Sequence, residues 1–405
     1  MVRRPAARLT GGAGFWLVAG AIAAFFAASS APSPLYVVYQ ARWHFSAVTL
    51  TVIFAIYALA LLVTLLCVGG LSDWVGRRPV LVGALVLEVL AMAAFLAAGG
   101  VTGLVLARVV QGVATGAAAG VLSATLVDLQ PGGRAGLAAA VNAAAPPAGL
   151  AAGALLSGAL VQHAPAPTTL VYAVLAVVFV LLLVSVALLP EPVSRRAGAV
   201  ASLRPRVTVP AAARPALRAA APVLISTWAV GGLVLSLGPS LAAGVLGVHD
   251  HLVGGLVVTA MTGCSAVASL GVRQREPRAT MVGGSLVLAV GVAVVLVALG
   301  TGSLAVFFVS LAVTGVGFGT AFVGAFGSVA SLAGPHQRAE LFAALYVLSY
   351  VAFGLPAVLA GLAVPSLGLR PTATAYGAVV IALSLLACGL GRRAWSGAPA
   401  VSRSG

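Results

Sequence analysis

Residues 69–79 read Gly69-Gly-Leu-Ser-Asp73-Trp-Val-Gly76-Arg77-Arg78-Pro79, and they separate an apolar run over 47–68 from another over 80–98. Each run is long enough to cross the ~30 Å hydrocarbon layer of a bilayer. A connector this short makes the two expected helices antiparallel neighbours. Asp73, Arg77 and Arg78 then belong at the water–lipid boundary, because charge placed deeper is costly. Gly76 supplies a backbone conformation that a residue with a Cβ resists, so the acid and the arginine pair are held on one turn.

The rest of the chain has the same character. Of 405 residues, 61% are hydrophobic and 7% charged, with a mean hydropathy of +1.14. A water-soluble domain could not solvate that composition. Apolar runs are found near 14–38, 47–69, 79–98, 101–126, 136–161 and 168–189. They resume near 219–246, 252–272, 279–300, 303–329, 340–364 and 372–391. The expected fold is therefore an all-α integral membrane protein with twelve transmembrane helices. The first run is too long for a secretory signal and lacks a cleavage site, so it counts as a retained helix.

All 22 basic residues are arginine, giving a net charge of +15. They sit in short clusters between apolar runs, which marks membrane orientation rather than a nucleic-acid groove. With the amino terminus inside, the inner segments hold nineteen: Arg3, Arg4, Arg8, Arg77, Arg78, Arg134, Arg195, Arg196, Arg204, Arg206, Arg214, Arg218, Arg273, Arg275, Arg278, Arg338, Arg392, Arg393 and Arg403. The outer segments hold Arg42 and Arg370. This places both termini in the cytoplasm. Residues 191–218, rich in Arg, Pro and Ala, are read as a cytoplasmic linker lying on anionic lipid or simply solvated. It divides an N-terminal six-helix bundle (1–190) from a C-terminal one (219–405). A shift of 200 residues sets Arg273–Arg278 over Asp73–Arg78, with Arg273 in place of the acid and Glu276 in place of the turn glycine, as a degenerate repeat would leave. Cys67, Cys264 and Cys388 lie inside apolar runs and read as packing residues. The five histidines lack ligand spacing. No metal, cofactor or catalytic constellation is expected, so the chain is not read as an enzyme.

The pattern Gly69-x-x-x-Asp73-x-x-Gly76-Arg77-Arg78 resembles the loop between helices 2 and 3 of the major facilitator superfamily. That resemblance implies two pseudo-symmetric six-helix bundles, alternating access, and a gating role for Gly69, Asp73, Gly76, Arg77 and Arg78. It also implies that Asp128 pairs with Arg77 or Arg78; the bland alternative is an acid in interfacial water. On span four, Arg108-Val-Val-Gln111-Gly112 is similar to the motif of the superfamily's proton-coupled members, and Gly112, Gly116 and Gly120 offer a flat packing face. Arg108 either faces a partner or wet cavity or snorkels outward. Glu88 lies about 13 Å into span three at ~1.5 Å per residue, where a carboxyl is protonated or paired. Arg108 and Glu88 are expected to pair directly and, with Gln111, to form the proton-coupling group. The alternative for Glu88 is a locally bonded structural residue. On span five, Pro146-Pro147 and Gly149 resemble the motif of drug–proton antiporters, although the glycine before the proline is Ala145. Tyr36, Asn142, Trp228, Tyr346 and Tyr350 are the candidates for the substrate cavity. The expectation is a monomeric, proton-coupled exporter of a small amphipathic compound in a bacterial plasma membrane, with uptake by symport or a non-transporting sensor as alternatives.

Overall fold

The computed structural model describes residues 11–396 except 135, 192, 333, 335 and 336. Arg3, Arg4, Arg8 and Arg403 lie outside the described residues. Twelve helices are long and apolar enough to cross a membrane. They are α1 (Gly12–Trp43), α2 (Ala47–Val68), α3 (Arg77–Leu96), α4 (Val101–Asp128), α5 (Leu137–His163) and α6 (Pro167–Val186), followed by α7 (Ala211–Gly244), α8 (His251–Val272), α9 (Pro277–Thr301), α10 (Leu304–Ala330), α11 (Arg338–Leu367) and α12 (Leu369–Gly391). No strand occurs among the described residues.

Local chemistry sets the helix ends. Ser46 accepts from Thr49 N at the start of α2, Ser303 from Val306 N at α10, and Asp250 from Leu252 N and Val253 N at α8. Each meets donors that the first helical turn leaves without a partner. α7 departs from the hydropathy reading. It begins at Ala211, within the expected linker, through a tight turn at 211–213 and a proline in its first turn. The run Ala-Ala-Ala-Arg-Pro-Ala-Leu-Arg-Ala-Ala-Ala favours helix strongly, whereas its two arginines depress hydropathy. The helix therefore extends below the apolar stretch.

α1 is interrupted between Ser30 and Pro32. Pro32 has no N–H, so the carbonyl of Ala28, four residues earlier, loses its helical donor. That acceptor is used by the candidate site.

Close packing comes from small residues. Along α4, Gly112, Gly116 and Gly120 meet the α2 backbone at Tyr57, Leu61 and Gly69, where a side chain would strike main-chain atoms. The glycine stripe read from the sequence thus has α2 as its partner, as expected where helices must approach without a hydrophobic drive between them. Contacts between the first six helices and the last six run through α2 with α11, α5 with α8, and the Pro32–Trp43 part of α1 with α7 and α8. Away from the arginine-rich loops these contacts are tight. Ser33 Oγ donates to Leu235 O, His251 N donates to Gln162 Oε1 at 2.9 Å, Gly158 abuts Gly255, and Gly361 abuts Thr51. That end of the molecule is sealed.

Candidate functional site

Three groups of polar, charged or aromatic residues make up the candidate site. The first is the loop between α2 and α3. A short helical turn over Ser72–Val75 leads to Gly76 at φ +101°, a region that L-residues resist. Arg77 is the hub. Its guanidinium donates to Asp128 Oδ2 at 3.1 Å, to Ser72 Oγ at 2.7 Å and to Asp73 Oδ1. The acid expected to meet Arg77 or Arg78 therefore meets Arg77, while the Arg78 side chain is exposed.

The sequence reading missed Glu191. Its carboxylate accepts from Arg77 N at 2.9 Å and Arg78 N at 2.8 Å, capping α3 from more than a hundred residues away. A Cβ on Gly76 would lie 2.8 Å from Glu191 Oε2. Gly76 is thus required twice, for its φ and for the room it leaves the cap. In the second half Glu276, at the position matching Gly76, caps α9 itself by accepting from Arg278 N and Ala279 N. The substitution that made the repeat look degenerate preserves an anionic cap and changes only where it comes from. Farther along the linker Arg196 N donates to Trp74 O at 2.9 Å, and Gly198 lies against the Trp74 ring. The linker is docked on the loop at these points.

The second group lies inside the membrane span. Arg108 is 1% exposed and does not snorkel outward. Its Nε and Nη2 donate to Tyr36 Oη at 3.0 and 2.6 Å, and its Nη1 donates to Ser29 O at 3.0 Å and Gln111 Oε1 at 2.7 Å. The guanidinium carbon lies 5.1, 5.6 and 5.8 Å from the ring centroids of Tyr57, Tyr36 and Phe95. Because arginine offers only donors, the Gln111 carbonyl must face it, and the amide nitrogen is turned the other way. That nitrogen donates to Ala28 O at 3.0 Å, the acceptor freed by Pro32, and to Glu88 Oε1 at 3.3 Å.

Glu88 and Arg108 are therefore linked, but not as the expected direct pair. Gln111 stands between them, because Arg108 turns toward α1 for its acceptors. Glu88 is 0% exposed, and its Oε2 has no hydrogen-bond partner. Tyr36, expected on the substrate cavity, is instead consumed by this network at 1% exposure. An arginine buried this deeply needs an oxygen to accept its N–H groups, and Tyr36 accepts two of them.

The third group is aromatic. Trp228 of α7 lies 4.8 Å from Tyr350, 5.7 Å from Phe353 and 6.0 Å from Phe322 between ring centroids. Phe326 joins Phe322, Phe342 and Tyr346 at 5.5, 5.1 and 5.9 Å. Trp228, Tyr346 and Tyr350 are thus brought together with four phenylalanines that sequence reasoning did not single out. The signal was there: Phe322 and Phe326 are four residues apart on α10, and Phe342, Tyr346, Ser349, Tyr350 and Phe353 share one face of α11. Trp228 Nε1 and Ser349 Oγ are buried without partners. Asn142 is half-buried on α5 and belongs to none of the three groups.

Tyr57 connects the last two groups. One side of its ring faces Arg108, and it shares the α2–α11 cluster with Tyr350.

Twelve apolar helices, a charged turn after the second and an arginine-centred polar network within the fourth are features of a membrane carrier. The family model described as Major Facilitator Superfamily matches residues 17–357, and the chain belongs to that superfamily as a multi-pass secondary transporter of small molecules.

Proposed function

We propose that the protein exports a small amphipathic compound in exchange for protons, by alternating access, across a bacterial plasma membrane with both termini in the cytoplasm. The observation that carries the proton coupling is Glu88: a carboxyl with no exposure, one oxygen without a partner, and a single amide between it and Arg108. Such a group can take or release a proton only when a conformational change alters its surroundings. Tyr57 lies where a change at the ring cluster would be felt by Arg108. In this reading residues 1–190 and 211–405 rock as two bodies about the central site, joined by residues 191–210. Of the described arginines in loops and at helix ends, only Arg42 and Arg370 lie at the sealed end, which in this reading is the outer face, so this conformer is closed to the exterior.

The loop group acts at the inner face. Gly69, Asp73, Gly76, Arg77, Arg78 and Asp128 hold the α2–α3 turn against α4 and the linker, and the exposed Asp73 is available to a second partner when that face closes. We assign Trp228, Tyr346 and Tyr350 to the substrate site and remove Tyr36 from it. The protein works as a monomer, since each bundle supplies one of the two linked groups.

Reconstitution into liposomes tests the reading. A substrate gradient should drive proton movement of the opposite direction. Movement in the same direction would make the protein a symporter, and substrate flux without proton movement would remove Glu88 from the mechanism.

A further inference from the structure

The ring cluster has features that restrict its ligand further than amphipathic character does. This restriction rests on the proposed assignment of the cluster as the substrate site. Seven rings from α7, α10 and α11 form a continuous surface, of which Tyr350 is buried and the other six, Trp228, Phe322, Phe326, Phe342, Tyr346 and Phe353, are only half-buried. Amid them two donors are unsatisfied, Trp228 Nε1 and the hydroxyl of Ser349, a residue only 1% exposed. A buried donor without a partner is costly, and a ligand that brings an acceptor removes that cost.

Aromatic surfaces also attract cations, so charge has to be decided from the surroundings. Seven acidic residues are present in the chain, and each has a place elsewhere. Asp73 and Asp128 are held by Arg77, and Glu191 caps α3. Asp250 and Glu276 cap α8 and α9. Glu88 is fully buried beside Gln111. Glu340 is in the first turn of α11, but at about 100° per residue it points about 130° away from the face that carries the rings. No carboxylate is therefore placed to neutralise a cation on the cluster. The charge linked to the cluster through Tyr57 has the same sign as a cationic ligand: Arg108 stacks on Tyr57, which packs in one cluster with Tyr350.

We propose that the site takes neutral aromatic compounds bearing a strong hydrogen-bond acceptor, which docks on Trp228 Nε1 and Ser349 Oγ, and that it discriminates against lipophilic cations. Four triphenyl probes of nearly common shape separate the terms: triphenylphosphine oxide (neutral, acceptor), triphenylmethane (neutral, none), methyltriphenylphosphonium (cation) and methyltriphenylborate (anion). Equilibrium binding to the purified full chain in detergent, corrected for empty micelles, needs no proton gradient, so its outcome is independent of whether transport is coupled or in which direction it runs.

The oxide should bind most tightly. Trp228→Phe, which keeps a ring and deletes the donor, should weaken it about tenfold and leave triphenylmethane unchanged. Ser349→Ala should act in the same sense and is a small change that preserves packing should the tryptophan variant fold poorly. Tighter binding of either ion, equal binding of the oxide and the hydrocarbon, no binding of any probe, or an oxide affinity indifferent to both substitutions would overturn the proposal.

Discussion

Arg108, Gln111 and Glu88 are joined in series by hydrogen bonds inside the membrane-spanning region. Arg108 makes four hydrogen bonds to three residues, and Gln111 is oriented by what surrounds it rather than by packing. Arg108→Ala should leave buried acceptors on Tyr36, Ser29 and Gln111 without donors, at a cost of about 3 kcal/mol or more, and should abolish coupled transport. Glu88→Gln keeps the shape and an acceptor for Gln111. It should cost under ~1 kcal/mol, fold normally, and carry substrate without responding to a proton gradient. A melting temperature and a flux assay on each variant check both statements. Normal transport with unchanged pH dependence in Glu88→Gln would make that residue structural. The sequence made these three residues legible because a charged or amide side chain stands out in an apolar helix. It hid the link between them, since which acceptors Arg108 would find depended on α1, where Pro32 frees the Ala28 carbonyl and Tyr36 turns inward.

At the level of the elements, the α2–α3 turn and the linker form one unit. The turn was readable from its spacing of glycine, acid and arginine. Glu191 was not, because nothing local distinguishes an acid in a proline- and arginine-rich tether from one that caps a distant helix. The start of α7 was missed for a related reason, as hydropathy is blind to a helix whose arginines lie outside the lipid. Gly76→Ala should destabilise the turn by roughly 1–2 kcal/mol from its positive φ alone, and further through collision with the Glu191 carboxylate. That second part should vanish in a Glu191→Ala background, so the two losses should fall short of additivity by about 1 kcal/mol. Strictly additive losses would mean that Glu191 does not occupy the space beside Gly76 in solution. Exposed ion pairs of the Arg77–Asp73 kind are each worth little, ~0–1 kcal/mol. The geometry they impose on the turn, and not their energy, is their contribution.

For the molecule as a whole, the twelve spans followed from the apolar runs, while the sealed end came only from the structure. Packing at Gly158–Gly255 and Gly361–Thr51 depends on pairs of small residues from distant segments, which no single run reveals. With Cys67, Cys264 and Cys388 replaced, an impermeant thiol reagent should label Ser202→Cys from the cytoplasm and His251→Cys from outside; labelling of both from one face would end the twelve-span arrangement. The most direct test of proton-coupled alternation places spin labels at His163→Cys and His249→Cys, which flank the α5–α8 contact on the sealed side, and follows their separation in acidic and alkaline buffer. Two populations, one short and one long, should exchange weight with pH, and Glu88→Gln should abolish that exchange while keeping both populations. A single separation at every pH, or an unaltered pH response in Glu88→Gln, would contradict it.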